Sequence, residues 1–138
     1  MHPSYSSYTF GIKSSRYAVL IPVKNEGERL HAELRHILEH RLDAKTKQQT
    51  FDVIIADAPS QDGSTDHKIL ESLGVRALIV LEEPGGLSSS LRAAIDFIVK
   101  EKYDGLVMLD GNNKDDTSAL NEFADRLDDG WDYVQGSR

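Results

Sequence analysis

The chain has 138 residues, a net charge of −7 and no cysteine, the length of about one domain of ~100–150 residues. The acidic balance excludes a broad basic field for a nucleic-acid backbone or an anionic membrane, so any bound phosphate must be held locally, by a metal, backbone amides or a few placed cations. Without cysteine there is no disulfide, thiolate metal site or cysteine nucleophile; no apolar run nears the ~20 residues that span a bilayer, and a cytoplasmic setting is the default expectation.

The opening stretch MHPSYSSYTFGIKSSR, residues 1–16, is rich in Ser and Tyr and has neither a helical nor a strand period. It reads as a loose leader or an edge segment, which leaves residues 17–138 as the domain. YAVLIPV is an apolar run of strand length, and GERLHAELRHILEHRL places Leu30, Leu34, Ile37, Leu38 and Leu42 on one helical face. FDVIIAD predicts a second buried strand. A Ser/Asp/Gly loop and TDHKILESLG follow, the latter a helix with Gly74 suited to its C-terminal cap. VRALIVLEE predicts a third strand, GGLSSSLRAAIDFIVKEK a helix with Leu87, Leu91, Ala94, Ile95 and Ile98 on one stripe, and GLVMLD a fourth strand. TSALNEFADRLDDG is amphipathic through Leu120, Phe123, Ala124 and Leu127, and WDYVQGSR begins a fifth strand.

Continuous apolar strands alternating with helices predict an α/β fold, Rossmann-like, with a mostly parallel sheet covered by helices on both faces. In such sheets ligands sit outside the carboxyl ends of the strands. The chain's most polar loops, Pro22 to Glu26, Asp57 to Asp66, Glu82 to Gly86 and Asp110 to Asp116, all fall at that edge. Because the chain stops at Arg138 in or just after a strand with nothing left to cover it, the natural protein is expected to continue.

Asp110 closes a strand and Asn112 lies two positions on, so both side chains can point to one side of an extended backbone and reach one ion. Hard divalent cations such as Mg²⁺ take few protein ligands and complete their shell with water and phosphate oxygens. The same residues also fit a plain turn with asparagines in left-handed positions. Asp57 ends a strand as Asp110 does, and a carboxylate there can accept hydrogen bonds from a nucleobase imide or amine. Asp62 to Asp66 fit an Asx turn with a helix cap at least as well, one of Asp62, Ser64 and Thr65 being a candidate for the cap, which makes Asp57 the better candidate for a ligand contact. Gly85, Gly86 and the serines at 88–90 precede or open a helix, where free amides can receive an anion, and Arg92 adds a cation one turn inside. This is neither a dinucleotide fingerprint nor a P-loop. His36 and His40 have the spacing of a helical metal pair, but at ~100° per residue they point nearly opposite the apolar stripe, which predicts a solvated face.

Together, VLIPVKNEGERL, VIIADAPSQDGSTD, GGLSSSLRAAIDFI, GLVMLDGNN and WDYVQGSR resemble the family 2 glycosyltransferases of GT-A fold. They are most similar to the branch of dolichyl-phosphate and polyprenyl-phosphate mannosyl- and glucosyltransferases, in order from about Tyr17 to Arg138. The resemblance implies a nucleoside-diphosphate-sugar donor, Mg²⁺ or Mn²⁺, an acceptor such as a lipid phosphate or a glycan, and transfer with inversion. No nucleic acid is implied, and membrane association belongs to some relatives.

On that resemblance Pro22, Asn25 and Glu26 match the first-strand motif whose loop borders the nucleoside. Asp57 matches the acidic residue that contacts the base, although the inserted APSQ leaves the correspondence open between Asp57 and Asp62. Asp110 matches the first acid of the Asp-X-Asp metal motif, and Arg138 a basic residue associated with the donor phosphates. Two departures stand out. Asn112 occupies the place of the second carboxylate, a weaker ligand that Asn113, Asp115 or Asp116 could supplement. Lys24 stands where the family often has an aromatic residue, which turns its expected role from stacking on the base toward meeting a phosphate. The catalytic base is not assigned by any residue here. A glycosyltransferase is the leading expectation; a non-catalytic nucleotide-sugar-binding or regulatory module is the alternative, and a nucleotidyltransferase ranks last because the first loop lacks its glycine-rich basic signature.

Overall fold

The computed structural model describes residues 3–40, 51–83, 85–109 and 133–135. In chain order the elements are β1 (Tyr5–Thr9), β2 (Tyr17–Val23), α1 (Glu28–His40), β3 (Phe51–Asp57), α2 (His67–Ser72), β4 (Val75–Leu81), α3 (Leu87–Lys100), β5 (Gly105–Met108) and β6 (Tyr133–Gln135). β2 and β3 are buried at every position, as the near-continuous apolar runs of a doubly covered parallel sheet are, with Asp52 and Asp57 the buried carboxylates of β3.

The six-stranded sheet has the order β1-β4-β3-β2-β5-β6. β4, β3, β2, β5 and β6 run parallel to their neighbours and only β1 is antiparallel. Successive crossovers from β2 through β3 to β4 move the chain one way, and the α3 crossover returns it past β2 to β5. Right-handed connections therefore put α1 and α2 on one face and α3 on the other. The two cores follow that division. Leu30, Leu34 and Ile37 of α1 and Leu70 of α2 pack on Val19, Ile21, Val53 and Ile55. Ala93, Ala94, Phe97 and Ile98 of α3 pack on Ala18, Leu20, Ile54, Ala56 and Ala77. The order reverses between β2 and β5, which makes their carboxyl ends the topological switch point of the sheet.

Three local outcomes differ from, or refine, the sequence expectation. Of the open choice between a loose leader and an edge segment, residues 5–9 take the second, pairing from Tyr5↔Leu81 to Thr9↔Ala77. The α3 stripe is rotated: Leu87 and Ile95 are 42% and 38% exposed, while Ser90, Ala93 and Phe97 face inward. Small residues win because the sheet beneath is itself alanine-rich and lets the helix approach closely, and buried Ser90 satisfies its hydroxyl on the Leu87 carbonyl at 2.9 Å. On α1, Leu38 is exposed and Leu42 lies outside the described residues, as does the helix expected over 117–130. His36 is exposed, as its angular position predicts.

Candidate functional site

Pro22 sits inside β2, opposite Ala56 of β3. The backbone groups of Leu20 face β5, where its carbonyl receives the Leu109 N–H at 3.0 Å. By alternation, the nitrogen of Pro22 faces the same way. The β2–β5 pairing is described as far as Leu20↔Met108, and Pro22, the next β2 residue on that side, has no N–H to donate toward β5. The carboxyl end of β2 thus lies at the switch point of the sheet.

The loops that leave β2 and β3 are joined there through side chains. Asn25 holds a left-handed backbone, φ 55, a conformation asparagine tolerates better than most residues. Its N–H donates to Ser60 Oγ at 2.9 Å and its Oδ1 accepts the Gln61 N–H at 2.7 Å. The Ser60 hydroxyl in turn donates to Asp57 Oδ1 at 2.8 Å, and the Thr65 hydroxyl donates to Asp57 Oδ2 at 2.8 Å. Asp57 is 2% exposed, and a buried carboxylate is tolerable only with such partners.

Asp62 is the contrasting carboxylate, exposed to solvent. Its Oδ1 accepts the Ser64 N–H at 3.0 Å and the Ser64 hydroxyl at 2.6 Å, an Asx turn as the sequence allowed. These two bonds, the hydroxyl first, together with the Gly27 N–H, hold its carboxyl below the ordinary carboxylate value. Gly27 has φ 62 and Gly63 φ 82, a left-handed backbone that suits glycine. The helix cap is none of the expected candidates but Asp66, whose Oδ1 accepts the Lys68 and Ile69 N–H groups at 3.1 and 3.3 Å.

His31 of α1 is buried beneath this turn. A carbonyl can only accept, so His31 Nε2 carries a proton and donates to the Ser64 oxygen at 2.8 Å. Its Nδ1 lies 3.4 Å from Glu28 Oε1. Ser60, Thr65 and His31 are the site residues that sequence reading missed. Two hydroxyls beside a strand-ending aspartate were the available signal for the first two.

The other candidates divide plainly. Lys24 is exposed immediately after β2; Glu26 is half-buried with its Oε2 3.5 Å from Arg29 Nη2. Arg92 is exposed on α3, its Nη2 3.5 Å from Ser89 Oγ one turn back. The α3 helix starts at Leu87 with Gly86 as N-cap and no side-chain cap, so the expected serines lie within its first turns. The structure thus places Asn25 and Asp62 in two joined loops, with Lys24 and Glu26 in the same β2 loop, and Pro22 and Asp57 at the ends of the strands that lead into them. Asp110, Asn112 and Arg138 lie outside the described residues. Among the described residues no group of three or more His, Cys, Asp or Glu is arranged to hold a metal, and no helix is long and apolar enough to cross a membrane. A comparison of the chain with protein-family models and with curated proteins finds no match.

Proposed function

We propose that this chain is the nucleotide-binding part of a GT-A-type glycosyltransferase, taking a sugar from a nucleoside-diphosphate sugar and transferring it with inversion to an acceptor such as a polyprenyl phosphate. The observation that carries the reading is the pair of loops after β2 and β3, hydrogen-bonded to each other through Asn25 and Ser60 beside the β2–β5 switch point. Crevices at that position are where parallel α/β sheets take nucleotides. The resemblance of five ordered sequence segments to family 2 glycosyltransferases supplies the reaction class.

In this reading Lys24 and Asn25 border the nucleotide, Asp62 offers an ionised carboxylate to a base or ribose donor, and Arg138 neutralises the departing diphosphate. A glycosyl transition state gains positive charge on the sugar and negative charge on the leaving phosphates, so cations aimed at the phosphates stabilise what changes most. Mg²⁺ or Mn²⁺ would add Lewis-acid stabilisation of the same oxygens. Asp110 and Asn112 would hold it: a carboxylate and an amide oxygen are the hard donors such ions take, and Leu109, the residue before Asp110, is hydrogen-bonded to β2 at the switch point. The neutral Asn112 favours a second reading, a module that binds the nucleotide sugar without turning it over.

Isothermal titration of UDP, GDP and their glucose and mannose conjugates, with and without Mn²⁺, tests the proposal on this chain and on Asp110→Ala. Metal-dependent binding of one nucleotide, lost in the variant, is the expected result. A folded chain that binds none of these ligands would overturn the reading. Binding with no release of nucleoside diphosphate, even with a lipid-phosphate acceptor present, would favour the non-catalytic module.

A further inference from the structure

Ser60 belongs to APSQ, the inserted stretch that the family resemblance does not account for, yet its hydroxyl is the hinge-pin of the loop pair. On one side it accepts the Asn25 N–H at 2.9 Å; on the other it donates to Asp57 Oδ1 at 2.8 Å. Both oxygens of Asp57 accept hydroxyl bonds, the second from Thr65, and the residue is 2% exposed. A carboxylate so enclosed and so engaged is poorly placed to meet a ligand in solvent. It is well placed to anchor hydroxyls, because hydrogen bonds to an ionised acceptor are short and about twice as strong as neutral ones.

The consequence runs along the chain. With Ser60 fixed, the Gln61 N–H reaches Asn25 Oδ1 at 2.7 Å, and the next residue, Asp62, turns out to solvent beside Gly27, where an added Cβ would stand 3.8 Å from Asp62 Oδ2. Each bond determines where the following residue can go. We propose that Ser60 is a positioning residue: linking the Asn25 amide to the buried Asp57 carboxylate, it holds the β2 and β3 loops in one arrangement and presents Asp62 and Asn25 to a nucleotide. The proposal deepens the nucleotide-binding reading and rests on it for its ligand. It assigns Asp57, the residue expected to contact the base, to the support of the loop, and leaves Asp62 as the carboxylate on the ligand side.

The test compares the wild-type chain, Ser60→Ala and Ser60→Thr, reading GDP and UDP affinity by isothermal titration with Mn²⁺ and amide exchange of Asn25 and Gln61 by NMR in the free protein. Losing a charge-assisted link should weaken nucleotide binding by roughly tenfold or more. In Ser60→Ala both amides should exchange about tenfold faster or more, and Ser60→Thr, which keeps the hydroxyl, should restore affinity and protection. Faster exchange with unchanged affinity would reduce Ser60 to a stability role and overturn the proposal. So would weaker binding with both amides still protected, which would make Ser60 a contact residue, or a Thr variant that behaves like Ala. If the wild-type chain binds neither nucleotide, the functional reading fails by itself. Exchange then decides the loop arrangement alone: acceleration reversed by Thr sustains it, and unchanged protection sinks it.

Discussion

At the scale of single residues, the carboxyl edge contains two aspartates five positions apart with opposite environments, and the difference comes from their neighbours. Asp57 is enclosed by hydroxyls; Asp62 is in water with Ser64 curled over one oxygen. Because the Ser64 hydroxyl and N–H lower the Asp62 pKa below its ordinary 3.8, the unfolded chain binds more protons than the native one across that interval. The contribution of Asp62 to stability is therefore complete above pH 3.8 and is lost as the pH falls through its lower native value. Ser64→Ala, which removes the largest cause, should raise the Asp62 titration midpoint toward 3.8, measurable from its side-chain carbon shift by NMR. A midpoint that does not move would mean the Ser64 hydroxyl is not what stabilises the carboxylate. The sequence showed both aspartates as candidates and favoured Asp57 as the ligand contact, because which hydroxyls the fold brings to each is not visible in it.

At the scale of elements, α2 is the clearest case of a helix that depends on its cap. Six residues, His67–Ser72, offer a single buried side chain, Leu70, and helices this short gain little from propagation. The Asp66 carboxylate satisfies the N–H groups of Lys68 and Ile69, and Gly74, with φ 81, closes the other end as its position in the sequence predicts. Asp66→Ala should cost ~1 kcal/mol of unfolding free energy in urea, and Asp66→Asn only a few tenths. Equal losses for both would point to charge near the helix N-terminus rather than the cap bond. Legibility varied by element for a physical reason. β2 and β3 have the predicted bounds, Tyr17–Val23 and Phe51–Asp57, because a strand buried on both faces is a near-continuous apolar run, which Asp52 and Asp57 of β3 flank rather than interrupt. β1 has no such signature: as an edge strand it is half solvated, and Tyr5 and Tyr8 point to opposite faces, Tyr5 donating its hydroxyl to Asp96 on α3 at 2.7 Å and Tyr8 meeting the tilted ring of His67 of α2 at 4.6 Å between centroids. The expected face of α3 holds at Leu91, Ala94 and Ile98 and fails at its edges, because hydrophobicity alone favours Leu87 and Ile95 over Ser90 and Ala93, whereas close approach to the sheet favours the small residues.

At the scale of the whole molecule, the sheet is fastened at its amino edge by a second buried aspartate, so the carboxyl edge can be given over to polar loops. Asp52, fully buried in β3, accepts the Ser14 N–H at 3.0 Å, the Ser14 hydroxyl at 2.9 Å, the Ser15 N–H at 3.3 Å and the Tyr103 hydroxyl at 2.7 Å. One side chain thereby ties the β1–β2 connection and the α3–β5 turn to the centre of the sheet. Burial first, and then the Asp52 carboxylate, push the Tyr103 phenol well above its ordinary value, so it keeps its proton and remains a donor. Tyr103 also accepts from Arg76 at 3.2 Å, and Arg76 pairs with Glu101 at 2.6 Å, extending the network to β4. Removing the acceptor strands several donors at once, so Asp52→Ala should lower the unfolding free energy by about 3 kcal/mol, since each buried unsatisfied group costs roughly 1–3 kcal/mol and some donors can turn to water. Asp52→Asn separates geometry from charge. With its oxygen in the place of Oδ2 it keeps three donors, and its amide can donate to the Ser14 hydroxyl, which accepts as readily as it donates. The expected loss is therefore about 1 kcal/mol or less, read from urea denaturation of both variants side by side. An Asn variant as unstable as the Ala variant would show that the negative charge, not the hydrogen-bond pattern, secures the amino edge.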